Sequence, residues 1–217
     1  MNIPIIYEDA WLLVVDKPAG ILVIPSPKKE MRTLTAILNE DWEHKKISYR
    51  LHPCHRLDRE TSGLIIYAKG KSMQKKIMQE FKKRKVKKIY LAFVDGYPNH
   101  NYGRIDYPIE NKSAITKYEV LMKAKDFSIL KVIPLTGRTN QIRIHLKKIG
   151  HPILGETKYA FRRDFKIKVK RLFLHAQALE FLHPITKKML YLKSPLPLDM
   201  HSFLKQQGIR TESLCLH

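Results

Sequence analysis

An α+β fold is the class this sequence predicts, on three observations. Apolar runs of strand length recur along the chain, amphipathic helical stretches fall irregularly between them, and the regular strand–helix alternation of a doubly wound parallel sheet is missing. No internal repeat or low-complexity linker breaks the pattern. A chain of 217 residues can bury roughly 70% of its unfolded surface without disulfide staples, so one large domain, or two interlocked lobes, over 1–217 is the expected organisation.

The elements follow in order. Alternating Ile3, Ile5 and Tyr7, then the run Trp11 to Val15, predict two strands joined by a tight turn at Glu8-Asp9-Ala10, and Lys17-Pro18-Ala19-Gly20 ends the second. Thr33 is positioned to cap a helix to about Trp42, with Leu34, Ile37, Leu38 and Trp42 on one face. A strand is expected over Leu64 to Ala68. Ser72 then caps a second helix whose Met73, Ile77 and Phe81 stack at i, i+4 and i+8 beneath a basic outer face. Strands are expected at about Ile89 to Val94, Ala114 to Met122 and Phe127 to Ile133, followed by a helix from about Asn140 to Ile149 that Gly150 ends before Pro152. The last strands fall within Leu172 to Leu174, Leu179 to Phe181 and Met189 to Leu192.

Charge narrows the partner. Lys plus Arg number 41 against 20 Asp plus Glu, a formal net charge of +21, and such a field favours a polyanion. A membrane surface fits less well, because neither dense basic run flanks a spanning segment or carries bulky aromatic anchors. Nucleic acid is therefore the expected partner. With two distant cysteines, Cys54 and Cys215, no signal peptide and no apolar run of spanning length, the expectation is a reduced, soluble, cytoplasmic monomer. The cluster His52-Pro53-Cys54-His55 lacks the paired spacing of a zinc site, so no metal is expected.

The most informative stretch is HRLDRETSGLIIYAK, positions 55 to 69, where one carboxylate, Asp58, stands between Arg56 and Arg59 just before an apolar strand. Flanking guanidinium groups favour its ionised form. From the residues alone, Asp58 is either a catalytic anion or the closing side chain of a turn.

This stretch is similar to the signature HRLDxxTSGLLLxAK of the RluA-type RNA pseudouridine synthases, whose Asp is the catalytic residue. Other segments resemble the family in the same order: YEDAWLLVVDKPAGILV at 7 to 23, KKIYLAFVDG at 87 to 96, LTGRTNQIRIHLKKIGHPILGETKY at 135 to 159 and LFLHAQALEFLHP at 172 to 184. The resemblance implies a mixed, largely antiparallel sheet flanked by helices, with the active-site cleft crossing it. It also implies that 1–217 is a catalytic domain, with no separate N-terminal RNA-binding domain ahead of it.

Residue roles come from the same resemblance. Asp58 would supply the carboxylate at the sugar of a flipped-out uridine, by covalent attack or by assisting proton removal; both routes stay open. Arg143 matches the family Arg that pairs with this Asp, Tyr90 the Tyr that lies against the base and is a candidate general base for the carbon 5 proton, and Arg56 an Arg that fills the gap left in the RNA. Arg138 and Asn140, in GRTNQIR, are expected at the RNA, with Asn140 replacing the family's usual His and so lacking its titration. The run Lys82, Lys83, Arg84, Lys85, Lys87 and Lys88 is expected on RNA phosphates, as is a second cluster of Arg162, Arg163, Lys166, Lys168, Lys170 and Arg171. The implied reaction turns uridine into pseudouridine in ribosomal or transfer RNA and needs no cofactor. A non-catalytic RNA-binding protein on the same fold is the alternative. A metal-dependent phosphodiesterase is disfavoured because no carboxylate cluster is visible.

Overall fold

Asp9 closes the first hairpin by accepting the backbone N–H groups of Trp11 and Leu12 on one carboxylate oxygen, both at 2.7 Å, while the Tyr7 hydroxyl donates to the other at 2.6 Å. The strands it joins are β1, Ile5–Glu8, and β2, Leu12–Lys17. The structure, a computed structural model, describes residues 2–26, 32–160 and 165–209. Two units divide the chain. The first runs to Lys87 and takes in Ala178–Ser194; the second comprises Lys88–Gln177 and the residues from Pro195 onward.

In the first unit, β2 pairs antiparallel with β4, Ser62–Lys69, setting Lys17 opposite Gly63 and Val14 opposite Ile66. A short strand not foreseen in the sequence, β3 at Leu51–Pro53, also pairs with β4. Helix α1, Leu34–His44, begins as expected: Thr33 accepts the Ala36 N–H at 3.2 Å, and Leu34, Leu38 and Trp42 are buried. Helix α2, Lys71–Lys82, buries Met73 and Ile77 in a core with Leu12, Val14, Ile66, Leu179 and Phe181. Its start departs from expectation. Ser72 lies inside the first turn, and the capping position is Gly70 at φ 100, which turns the strand straight into the helix without a side-chain cap.

The second unit orders its strands β5-β8-β7-β6, all antiparallel: β5 is Lys87–Asp95, β8 Phe127–Pro134, β7 Ile115–Lys123 and β6 Tyr102–Asp106. Strand β6 was not expected, because its outward residues Tyr102, Arg104 and Asp106 are polar or exposed and Gly103 interrupts it. A Cβ at Gly103 would fall 2.2 Å from the Tyr118 ring directly across the ladder, so a larger residue there would push that ring aside. Helix α3 is Gln141–Lys148, and α4, Leu198–Gln206, adds an unforeseen helix with Met200, Phe203 and Leu204 buried. Phe93, Phe127, Phe173 and Phe203 form the centre of this core, with Phe127 and Phe203 rings 5.1 Å apart.

The two late strands expected at 172–174 and 179–181 are one strand, β9, Leu174–Leu182. His175 and Gln177 hid its continuity, yet both are buried. Its Ala178–Leu182 half pairs antiparallel with β10, Met189–Lys193. The architecture is thus α+β: mixed, mostly antiparallel β-structure with four helices among the described residues. No helix among these residues is long and apolar enough to cross a membrane.

Phe93 is fully buried at the centre of the aromatic cluster. Phe93→Ala should cost about 3–5 kcal/mol in a denaturant titration; a loss below about 1 kcal/mol would mean the cluster does not hold the second unit.

Candidate active site

Asp58 stands on the loop between β3 and β4, half-buried, in the first unit. The loop is braced at both ends. On its entry side the Cys54 N–H donates to the Ile66 carbonyl at 2.9 Å, and the Ile66 N–H donates to His55 Nε2 at 3.0 Å. Accepting that proton leaves Nε2 without one of its own, and the ring packs on Phe81 at 4.7 Å. On its exit side the Arg59 carbonyl receives two donors, the Gly20 N–H at 2.9 Å and the Lys17 ammonium at 3.0 Å. The Thr61 N–H then donates to the Asp58 carbonyl at 3.2 Å, closing the turn that leads into β4.

Lys17 is the less obvious part of this brace. It is wholly buried at the end of β2 and also donates to the Pro18 and Ile21 carbonyls, each at 2.8 Å. One ammonium thus binds the Lys17–Ile21 turn to the residue after Asp58. Arg56 projects outward, exposed, two residues before the acid.

Arg143, in the first turn of α3 in the second unit, is 8% exposed and held from several sides. Its Nε donates to Glu156 Oε2 at 2.7 Å and its Nη2 to Oε1 at 2.6 Å, a bidentate pair, while Nη1 donates to Asn140 Oδ1 at 3.1 Å. The Tyr159 ring lies 5.3 Å from the guanidinium carbon, and its hydroxyl accepts from Asn140 Nδ2 at 2.8 Å. Glu156 is itself over-determined: its Oε1 accepts the backbone N–H groups of Thr157, Lys158 and Tyr159. Burial works to raise the Glu156 carboxyl, but the Arg143 hydrogen bonds, then the backbone donors, outweigh it and hold the group below its ordinary value.

Backbone geometry puts these groups in place. Asn140 adopts the left-handed conformation, φ 55 and ψ 22, which Asn tolerates better than most residues. Its side chain does not cap α3, because it is turned to Arg143 and Tyr159 instead. Gly155 precedes Glu156 at φ 79, where a Cβ would fall 2.0 Å from the Arg171 carbonyl, so only glycine fits. Gln141 ties the loop before α3 to β7: it donates to the Ile115 carbonyl and Thr116 and accepts from the Thr136 hydroxyl and the Arg138 N–H. Arg138, exposed, donates from Nε to the Ser113 carbonyl at 3.1 Å. Tyr90, 8% exposed, lies on β5 opposite Val132.

An acid on a braced loop, a guanidinium fixed by a buried carboxylate and a strand tyrosine are the pieces that the sequence resemblance names. Comparison with known proteins gives the family. The family model described as RNA pseudouridylate synthase matches residues 11–148. The chain belongs to the RluA-type RNA pseudouridine synthases. Dual-specificity RNA pseudouridine synthase RluA of Haemophilus influenzae is 36% identical over 200 residues, covering 84% of this chain and 88% of that protein. The RluA of Vibrio cholerae is 34% identical over 84% of this chain and 78% of its own length. A solved structure, human RNA pseudouridylate synthase domain containing 4, superposes with a TM-score of 0.81 at 25% identity, covering 95% of this chain and 94% of that one. As a pseudouridine synthase the chain is an isomerase, and its fold is that of its relatives.

The basic residues expected on this synthase's RNA divide by environment. Lys82, Lys83, Arg84, Lys85 and Lys87 are exposed, although Lys87 donates to Glu180 at 2.8 Å. Lys88 is different: it points toward the Thr136 carbonyl at 3.5 Å, and burial pushes its pKa down. In the second cluster Arg171 is engaged by Asp199 and Lys166 by Asp126, while Arg162 and Arg163 lie outside the described residues. Around His52 and His55, Cys54 is buried and its thiol is pushed up to about 12 by that burial, which makes it a poor metal ligand. Among the described residues no three His, Cys, Asp or Glu side chains assemble as a metal site.

Sequence reasoning missed Lys17, His55 and Glu156 as parts of this machinery. Lys17 had a visible signal, a lysine closing the apolar run Leu12 to Val15; Glu156, in Gly-Glu-Thr-Lys-Tyr, reads as an ordinary surface turn. Glu156→Ala, by leaving Arg143 buried without its carboxylate, should cost about 3–5 kcal/mol in denaturant. Because the folded value lies below the unfolded one, the pair's contribution is complete above about pH 4.5 and fades as pH falls through the lower folded value. Glu156→Gln should therefore flatten the acid limb of the stability profile, and an unchanged limb would refute the pairing.

Proposed function

We propose that this synthase isomerises specific uridines in structured RNA, ribosomal or transfer, with Asp58 as the carboxylate acting at the sugar of a flipped-out nucleotide. The observation that carries the reading is HRLDRETSGLIIYAK, with Asp58 on a loop held by Lys17, Gly20 and His55. A relative named tRNA pseudouridine synthase C, of Haemophilus influenzae and 32% identical over 94% of this chain, and the dual-specificity relatives support structured RNA as substrate. The net charge of +21 supports a polyanion. The enzyme works as a cytoplasmic monomer, with the whole of 1–217 as its catalytic body.

The reaction breaks the bond between uracil N1 and the ribose anomeric carbon, rotates the base and joins that carbon to uracil carbon 5. The proton on carbon 5 is lost and N1 gains one, so mass is unchanged and neither oxidant nor group donor is needed. Asp58 attacks or deprotonates the sugar; Arg143 keeps the carboxylate ionised and aimed. Tyr90 stacks against the detached base and holds it during rotation. Arg56 stacks in the place the nucleotide left, and Arg138, Asn140 and the lysine run hold the surrounding strand.

Release of tritium from RNA labelled at uracil carbon 5 tests the assignment. Asp58→Asn should abolish release while RNA affinity persists; full release by that variant would require another catalytic group. Arg143→Lys keeps the charge but loses the planar fork, and should lower the single-turnover rate on the order of 10²-fold or more with little change in affinity. A rate within a factor of two of wild type would remove Arg143 from the mechanism.

A further inference from the structure

The solvent face of α2 carries charge that helix physics does not favour. Lys71, Lys75 and Lys82 stand at i, i+4 and i+11, within about 40° of one line along a helix of 3.6 residues per turn. All three are exposed, and the line continues into exposed Lys83, Arg84 and Lys85. None of these six takes part in an ion pair among the described residues. Glu80, the helix's single acid, projects to the other side, half-buried.

Local stability argues against this arrangement. The first turn of α2 holds no acidic residue and opens with Lys71, where the positive end of the helix dipole disfavours a cation, and Lys71 and Lys75 form a like-charged i,i+4 pair. Nearby His52 feels the same field: burial first, then Lys71 and Arg50, hold its imidazole below the ordinary value. Local rules broken together, with no compensating ion pair among the described residues, point to a ligand that supplies the missing negative charge.

We propose that the outer face of α2, through Lys71 and Lys75 at the end of β4 away from the Asp58 loop, is a docking rail for the phosphate backbone of the substrate RNA. The inference rests on the reading of the chain as an enzyme acting on structured RNA and extends it to a second contact area. Charge selects the partner. A membrane would need an apolar stripe to insert, but the apolar side of α2, Met73 and Ile77, is already buried in the core with Leu179 and Phe181, and only Met78 interrupts the charged face. A phosphodiester backbone needs no insertion, only cations spaced along a surface.

The test compares the full chain with a Lys71→Gln/Lys75→Gln variant, which leaves the lysine run from Lys82 intact. The probes are total transfer and ribosomal RNA from cells lacking the protein, labelled at uracil carbon 5, and a short stem–loop cut from whichever RNA is modified. Filter binding across a salt series should show the variant's Kd on whole RNA raised about 10-fold or more near 0.15 M salt. The slope of log affinity against log salt should fall by about 1.4, at roughly 0.7 per lost contact. Tritium release at saturating RNA, affinity for the stem–loop and Tm should match wild type, which separates the rail from both catalysis and folding. A variant with wild-type Kd and salt slope overturns the rail alone. A wild type that neither binds nor modifies any of this RNA overturns the functional reading, and the rail with it.

Discussion

A single buried ammonium sets the position of the loop that matters most. Lys17 spends three N–H donors on the carbonyls of Pro18, Ile21 and Arg59, so the residue after Asp58 is tied to the turn that ends β2. A buried lysine is costly unless its donors are satisfied. Here the backbone satisfies them, and the cost is offset by fixing two loops at once. Rigid support of this kind suits the role proposed for Asp58, in which one oxygen reaches one carbon.

Arg143 follows the same logic with opposite charge. Its guanidinium is held by Glu156, and Glu156 is held by three backbone N–H groups presented by the turn that follows Gly155. Position passes from a glycine's left-handed backbone to a carboxylate, and from there to an arginine. Asn140 belongs to this chain of support: the left-handed residue before α3 donates to Tyr159 and accepts from Arg143. Where the family usually has His, Asn supplies both hydrogen bonds without a titrating group, so Arg143's surroundings keep their charge across neutral pH.

Much of this was legible in the chain. The first hairpin, Thr33 as a cap, the stripe of α2 and Gly150 after α3 all followed from local pattern, because each is decided by neighbours within a turn or two. What escaped depends on distant partners. β9 looked broken at His175 and Gln177 because polar residues in a buried strand are satisfied only by tertiary contacts. Ser72 seemed the better cap until the backbone of Gly70 took that position. Asp58, Tyr90 and Arg143 could be named only through the family's motifs, since a turn aspartate, a strand tyrosine and a helix arginine are common in any fold. Glu156 lay inside a family-like segment without a role of its own, and its importance is visible only once Arg143 is beside it.

Carbodiimide modification of RNA followed by primer extension marks pseudouridines directly, and it measures the central assignment in the cell. RNA should be compared from cells expressing the native chain, cells expressing Asp58→Asn at equal level and cells lacking the protein. The account predicts stops at defined uridines with the native chain alone, and none at those positions in the other two. Identical stops in all three, or stops preserved by the Asp58→Asn chain, would contradict it.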